Sequence, residues 1–230
     1  MNKKDWIIIS AIGLGVLLLA RKVLGADSPE SNPEIPLTLK NANPAQLPIA
    51  STINSDELRV MQYADIMMYE GQKQGMDPAI IAGVMRAESS GIANERAYES
   101  KVNDYSYGLM QILSSTANWL KTVYIWLRYN GDPSSLFIPD VSIEIGTAYL
   151  KRNLDIYTLR PKIHPITDMI AAYNAGQAFV NEFTYTNSKG DPVVQTYVDR
   201  VMEFKFRFHM MFEYLYPNYI SQFPPAYWGH

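Results

Sequence analysis

The sequence predicts a mostly α-helical domain over residues 53–214, preceded by a single transmembrane helix and a proline-rich linker. Two observations favour helices: apolar residues recur at helical spacing, and residues that start or stop helices stand at the boundaries of these segments. A third observation is that the chain of 230 residues contains no cysteine, which excludes disulfides and zinc–thiolate sites as sources of stability. We therefore expect packed helices to supply the stability of the domain.

The first 26 residues have the composition of a membrane anchor. An uninterrupted apolar run covers residues 7–20, with a tryptophan before it and an arginine and a lysine after it. A full span needs about 20 apolar residues, but interfacial tryptophan and long basic side chains can extend a shorter run. A cleaved signal peptide is the alternative, although Leu24 is a poor residue three positions before a cleavage site at Asp27. We favour a retained anchor over residues 1–26.

Residues 27–52 have the composition of a spacer. Proline removes backbone donors and prevents helix formation, so the segment is expected to be extended and semi-stiff. Its prolines are Pro29, Pro33, Pro36, Pro44 and Pro48.

Six later segments have the periodicity of helices. Their expected bounds are 55 to 71 or 75, 78 to 90, 114 or 115 to before 131, 140 to about 159, 165 to 176, and 196 to about 208. In the second segment Asp77 can cap the helix, Pro78 fits its first turn and Gly91 can follow its end in a left-handed conformation. Residues 92–106 are polar and are expected to be irregular. The alternation of phenylalanines over residues 204–208 also fits a strand, so the end of the last helix stays open.

Glu88 is the candidate catalytic residue. It lies in the last turn of the apolar second helix, where the partial negative charge of the helix end disfavours a carboxylate. A carboxylic acid that keeps its proton near neutral pH can protonate the leaving oxygen of a glycosidic bond. Taken alone, however, a glutamate at a helix end is more often a solvated surface group.

Four segments, taken together, favour a catalytic role for Glu88. They are Glu88-Ser89, the run from Ser106 through Gly108, Met110 and Gln111 to Ile112, the run Ala172-Tyr173-Asn174-Ala175-Gly176, and Thr196-Tyr197-Val198. In this order they resemble the motifs of the lytic transglycosylases with a goose-type-lysozyme-like fold, over roughly residues 53–208. Two departures concern helix packing and a loop: Ser142 stands where the family often has asparagine, and Gln177 where it often has proline.

The resemblance implies an activity. The family cleaves the β-1,4 bond between N-acetylmuramic acid and N-acetylglucosamine in peptidoglycan, without water and with formation of a 1,6-anhydro ring. By this resemblance Glu88 is the only general acid and base, and no cofactor or metal is needed. The hydroxyl on C6 of the sugar is the internal nucleophile, which makes the second step unimolecular.

The resemblance also implies a set of substrate-binding residues. Ser89 would orient Glu88 or the substrate, Gly108 would let the backbone approach the sugar, and Met110 and Gln111 would line the cleft with Ser106. Tyr173 and Tyr197 would lie beside Glu88, and Asn174 would contact a sugar. For Tyr197 a place in the core is an equally good interpretation, because it begins an apolar stripe. The full set is Ser89, Ser106, Gly108, Met110, Gln111, Tyr173, Asn174 and Tyr197.

Charge and histidine spacing argue against two classes of partner, nucleic acids and metal ions. A net charge of −3 and no long basic stripe argue against a nucleic-acid partner, and the three histidines lack the spacing of a metal site. The expected partners are peptidoglycan strands, a bacterial inner membrane or a virion membrane through residues 1–26, and proteins of a virion or an envelope machine. The domain would then face the periplasm. The role of the aromatic tail over residues 215–230 stays open between packing on the domain and binding a partner.

Two other functions remain possible at this point. The first is a hydrolytic muramidase, in which Glu95 or Asp104 from the polar stretch after Glu88 would be a second carboxylate. The second is a non-catalytic protein that binds glycan or serves as a scaffold.

Overall fold

The computed structural model describes residues 53–158, 165–177, 180 and 192–223. The expected anchor (1–26), the linker (27–52), most of the polar stretch 178–191 and the end of the tail (224–230) lie outside the described residues. Within the described part no helix is both long enough and apolar enough to cross a membrane. The α-helices there are α1 (Ser55–Met61), α2 (Ala64–Gln74), α3 (Pro78–Glu88), α4 (Ser114–Val123), α5 (Pro139–Thr158), α6 (Pro165–Ala175), α7 (Val193–Leu215) and α8 (Tyr219–Gln222).

A small antiparallel sheet follows α3, which corrects the expectation that residues 92–106 are irregular. Its strands, in spatial order, are β1 (Arg96–Glu99), β2 (Asp104–Tyr107) and β3 (Ile112–Leu113). Most side chains of β1 are exposed, so the strand lacks the apolar alternation by which a half-buried strand is recognised. A 3-10 helix (Pro133–Phe137) precedes α5. It lies between the helix that was predicted to end before residue 131 and the helix predicted from residue 140.

The boundary signals around α3 were predicted correctly. The side chain of Asp77 accepts a hydrogen bond from the backbone N–H of Ala79, Pro78 occupies the first turn, and Gly91 has φ 77°. The helix ends at Glu88, two residues before the expected end. Upstream, the single predicted helix is divided into α1 and α2 at residues 62–63, where neither glycine nor proline marks the break. Gly75 ends α2 in the left-handed conformation.

Helix α3 is the centre of the domain, since every residue from Pro78 to Met85 is buried. Helix α7 crosses it closely at Gly83: a Cβ there would lie 2.9 Å from the carbonyl oxygen of Val201 and 3.1 Å from the backbone nitrogen of Lys205. This close approach needs glycine, because any side chain would separate the helices. The crossing places the start of α7 beside the end of α3, where the candidate site lies.

Helix α7 (Val193–Leu215) is longer than the helix that was predicted over residues 196 to about 208. Helix α7 is helical through its phenylalanines, so the strand alternative for residues 204–208 is wrong. The described part of the tail packs on the domain: Tyr219 and Phe223 are buried, and the Tyr219 hydroxyl donates a hydrogen bond to Oδ1 of Asp77 at 2.5 Å. The tail thereby contacts the capping residue of α3.

Candidate active site

Glu88 lies at the C-terminal end of α3 and is half-buried. The hydroxyl of Tyr197, from the first turns of α7, donates a hydrogen bond to its Oε1 at 2.5 Å. Burial raises the pKa of Glu88 from its ordinary value of 4.5 to about 7. The hydrogen bond from Tyr197 and the positive charge of Arg200 act against this rise, and the negative charge of Glu99 adds to it. At neutral pH the carboxyl is therefore poised between its protonated and ionised forms, as a group that both gives and takes a proton requires.

The backbone turns sharply after Glu88. Ser90 and Gly91 both have left-handed φ values, 55° and 77°. Ser89 is buried, and its hydroxyl donates to the carbonyl oxygen of Leu109 at 2.8 Å and accepts from the N–H of Gly91 at 3.2 Å. The hydroxyl thus joins the end of α3, next to Glu88, to the loop after β2. A role in orienting Glu88 or the substrate stays a prediction.

Gly108 begins that loop with φ +75° and is buried. A Cβ at this position would lie 2.0 Å from the carbonyl oxygen of Leu136 and 2.9 Å from Oγ of Ser142. Space for a sugar was the expected reason for a glycine here. The structure adds a steric reason, because the 3-10 helix and α5 occupy the side where a Cβ would point. Close approach to a sugar stays a prediction.

Gln111 closes the loop through its side-chain amide. Its Nε2 donates to the carbonyl oxygens of Gly108 at 2.9 Å and Glu95 at 3.2 Å, and its Oε1 accepts from the hydroxyl of Ser106 at 2.8 Å. Both ends of the amide are thus engaged within the protein. Ser106 and Gln111, two of the expected substrate-binding residues, hold the loop in shape beside the end of α3.

Met110 does not line the cleft with its side chain, contrary to expectation. It is fully buried, and its side chain fills the space that a Cβ on Gly146 would enter. Its backbone is held from two sides: the N–H donates to Oγ of Ser142 at 3.2 Å, and the carbonyl oxygen accepts from the hydroxyl of Tyr173 at 2.8 Å. A fully buried apolar side chain packed against α5 belongs to the core rather than to a wet surface.

Tyr173 is buried and lies near Glu88. Burial raises the pKa of its hydroxyl well above the ordinary value, and the negative charge of Glu88 adds to the rise. The pKa of Tyr197 is raised for the same two reasons. Both tyrosines therefore stay neutral and can serve Glu88 only as hydrogen-bond donors or as packing. The structure places Tyr197 in the core and also within hydrogen-bonding distance of Glu88.

An open depression of about 220 Å³ adjoins this group. It is lined by Asn174, Val193, Thr196, Tyr197 and Arg200. Tyr197 lines the depression and also donates its hydroxyl hydrogen to Glu88, so one side chain is common to both. Asn174, on the wall of the depression, is exposed and accessible to a ligand there.

Two residues near Glu88 were not singled out from the sequence. Arg200 stands three positions after Tyr197 in α7, a spacing that places both on one helix face. Glu99 pairs with Asp104 across the first two strands, and this pairing could not be seen while residues 92–106 were taken as irregular. The helical spacing was the available signal for Arg200.

The two carboxylates considered for a hydrolytic muramidase are those of Asp104 and Glu95. Both residues take part in hydrogen bonds within the fold. Asp104 accepts hydrogen bonds from the hydroxyl of Ser114 at 2.5 Å and the N–H of Ser115 at 2.9 Å, at the first turn of α4. Burial acts to raise the pKa of Asp104, but these hydrogen bonds outweigh it and lower the pKa overall. Asp104 therefore stays ionised as a helix cap. Glu95 contributes its backbone carbonyl, which accepts from Gly108 and Gln111.

A family profile described as the transglycosylase SLT domain matches residues 65–192. The chain belongs to this family. Its SLT domain is similar to membrane-bound lytic murein transglycosylase C of Histophilus somni strain 2336, with 32% identity over 148 residues that cover 62% of this chain and 39% of that protein. It is also similar to endo-type membrane-bound lytic murein transglycosylase A of Cronobacter sakazakii, with 38% identity over 94 residues that cover 40% of this chain and 43% of that protein. The chain thus spans about two fifths of the length of these curated relatives.

Two solved structures share the fold of the SLT domain. An inactive mutant of the lytic transglycosylase Slt from Pseudomonas aeruginosa, in which a glutamate is replaced by glutamine, matches with a TM-score of 0.57 and 20% identity, over 71% of this chain and 26% of that one. The 70 kDa soluble lytic transglycosylase of Escherichia coli matches with a TM-score of 0.53 and 21% identity, over 65% of this chain and 25% of that one. The predicted lysozyme-like helical fold is confirmed by these matches.

Proposed function

We propose that the SLT domain is a peptidoglycan lytic transglycosylase with Glu88 as its only general acid and base. The observation that carries this proposal is the Glu88 carboxyl itself: burial raises its pKa to about 7, and a neutral tyrosine hydroxyl holds it in place. The names of the relatives, lytic murein transglycosylases, agree with this chemistry. So does the inactivity of the Pseudomonas protein that has lost one glutamate.

The proposed reaction uses Glu88 twice. The protonated carboxyl first donates its proton to the glycosidic oxygen, the bond from C1 to that oxygen breaks, and N-acetylglucosamine leaves with a free 4-hydroxyl. The carboxylate then takes the proton of the C6 hydroxyl while O6 bonds to C1, which closes the 1,6-anhydro ring on N-acetylmuramic acid. No water is consumed, and Glu88 ends the cycle protonated. A pKa near the working pH suits both steps.

A second carboxylate is not required for this route. Positive charge develops on the sugar as the bond breaks, and the N-acetyl group of the substrate can stabilise it, as in other substrate-assisted enzymes. Asp104 is committed to capping α4. Glu99 is an exposed carboxylate whose negative charge acts on the half-buried Glu88, and it keeps a hydrolytic muramidase as the alternative.

We further propose that residues 1–26 anchor the domain in a membrane and that residues 27–52 hold it away from the surface. The apolar run, the prolines and the words "membrane-bound" in the names of the relatives support this arrangement. Because peptidoglycan lies outside the inner membrane, the domain would face the periplasm. Local opening of the wall by a virion or an envelope machine is the role that we propose for the anchored domain.

Product analysis tests the proposed reaction. Purified sacculi are digested with the full chain, and the muropeptides are identified by mass spectrometry. We expect ends in the 1,6-anhydro form, each one water lighter than the corresponding reducing end. Reducing ends as the main product would support the muramidase instead, and no soluble product from active-site-intact protein would favour a binding protein.

A further inference from the structure

The geometry points to an anion subsite at Arg200, which binds a carboxylate carried by the muramic acid residue at the cleaved bond. This inference rests on the proposed function and names what the same site selects in its substrate. The carboxylate has two possible sources, the lactyl group of a glycan without peptides and the stem peptide of intact peptidoglycan. Both present the same planar anion to the guanidinium group.

Arg200 is placed to meet a substrate. It is exposed, lines the depression next to Glu88, and holds its guanidinium carbon 5.8 Å from the ring centroid of Tyr197. Tyr197 in turn donates its hydroxyl hydrogen to Glu88. The cation therefore lies one side chain away from the catalytic carboxyl, and its positive charge acts on the pKa of that carboxyl.

The guanidinium group of Arg200 lies over the ring of Tyr197 but forms no ion pair within the part of the chain that the structure describes. Four other arginines form ion pairs with carboxylates of the domain: Arg59, Arg86, Arg128 and Arg207. Among the residues that the structure describes, no carboxylate forms an ion pair with Arg200. Its donors are thus free for a ligand, and a planar fork of N–H groups matches a carboxylate in two parallel hydrogen bonds.

The size of the depression indicates a small substituent as its ligand. Its volume of about 220 Å³ is below the roughly 300–1,000 Å³ of pockets that hold drug-sized ligands, so one substituent of a sugar fits better than a second glycan strand. Asn174 and Thr196 on its wall can bind neutral polar atoms of the same substituent. A glycan made only of N-acetylglucosamine has no carboxylate and would leave Arg200 unused.

Binding of this anion also has a consequence for Glu88. The charge of Arg200 lowers the pKa of the catalytic carboxyl, and a bound carboxylate would neutralise that charge. Substrate with the acidic group would therefore favour the protonated form of Glu88, which the first step needs.

The test compares Arg200→Gln with Arg152→Gln in the full chain. Arg152 is a matched control: its guanidinium also lies over an aromatic ring, 4.9 Å from the centroid of Trp119, but it does not line the depression. Each variant loses one positive charge, so a general loss of attraction to an acidic polymer affects both equally. Rates are measured on intact peptidoglycan and on glycan stripped of peptides by an amidase, at about pH 6, where Glu88 is mostly protonated.

We expect Arg200→Gln to raise KM about tenfold on at least one substrate, with kcat changed less than about threefold. Arg200→Lys should lie in between, and Arg152→Gln should match the unaltered protein. An effect on intact peptidoglycan identifies the stem peptide as the source, and an effect on stripped glycan identifies the lactyl group. Binding of an uncharged N-acetylglucosamine oligosaccharide, measured in a Glu88→Gln background, should not change when Arg200 is also replaced.

Equal KM values for Arg200→Gln and Arg152→Gln on both substrates would overturn the inference, as would an equal loss of binding to the uncharged oligosaccharide. Either result can occur while the unaltered protein still forms anhydro products. Failure of the proposed function is a different result, namely the absence of those products from the unaltered protein.

Discussion

Replacing Glu88 with glutamine is expected to reduce the rate of anhydro-product formation by about 10³-fold or more, because the only group that transfers protons in either step is lost. Glutamine has nearly the same shape, and its amide oxygen can still accept the hydrogen bond from Tyr197. Binding of glycan should therefore persist while turnover stops. The measurement is the rate of release of anhydro-muropeptides from sacculi by mass spectrometry.

Glu99→Gln is the matched control, since it makes the same chemical change on a neighbouring carboxylate. We expect less than about a tenfold loss of rate from it. Its negative charge raises the pKa of Glu88, so its removal should also shift the pH dependence of the rate to lower pH. If Glu99→Gln abolished activity as fully as Glu88→Gln, the single-carboxyl mechanism would be wrong and a two-carboxylate muramidase would be favoured.

The stability of the Glu88→Gln variant separates loss of chemistry from loss of fold. The folded-state pKa of about 7 lies above the ordinary 4.5, so between these values the folded chain binds more protons than the unfolded chain. The free energy of unfolding therefore falls as pH rises through this window, and the loss is complete above about pH 7. Glutamine cannot ionise, so the variant should be at least as stable as the unaltered protein at pH 8 in a urea titration.

Gly108→Ala is expected to have the largest effect on stability, a loss of about 3–5 kcal/mol or failure to fold. The new Cβ would lie 2.0 Å from the carbonyl oxygen of Leu136, which is backbone and cannot move aside as a flexible side chain can. The positive φ of +75° adds strain for any residue with a Cβ. Because this turn leads into Met110 and Gln111, activity should fall together with stability.

Gly131→Ala is the matched control, because it introduces backbone strain at a positive φ without the steric clash expected in Gly108→Ala. Gly131 has φ +94°, but a Cβ there meets no atom within 4 Å. Its alanine variant should lose only about 1–2 kcal/mol, the cost of the left-handed conformation. Urea unfolding of both variants measures the difference, and similar losses from both would contradict the packing role given to Gly108.

Local signals in the sequence predicted those parts of the fold that depend on neighbouring residues. Asp77 and Pro78 marked the start of α3 because a cap and its helix lie within three residues of each other. The sheet was missed because its polar strands pair across a turn and face solvent on one side. The division between α1 and α2 was missed because no residue with a special backbone preference stands there.

The motifs predicted the neighbourhood of Glu88 but not the direction in which each side chain points. Ser89 and Met110 belong to the expected set, yet both side chains are buried beside α3. Gly108 belongs to it too, and its place is fixed by the clash that a Cβ would make with Leu136. A motif records which residue types are required, and both catalysis and packing can require them. Which partner a side chain meets depends on residues distant in sequence, such as Leu136 and Ser142, which no local pattern connects to the loop.

The raised pKa of one carboxyl group supports every step of the proposed mechanism, and it can be measured directly. The full chain, labelled with carbon-13 at glutamate side chains, is titrated by NMR, and the Glu88 signal is assigned by its absence in Glu88→Gln. We expect that signal to titrate with a pKa of about 7 and the rate of anhydro-product formation to fall as pH rises above this value. A Glu88 signal that titrates near the ordinary 4.5 would contradict the account, because the group would then hold no proton to give at neutral pH.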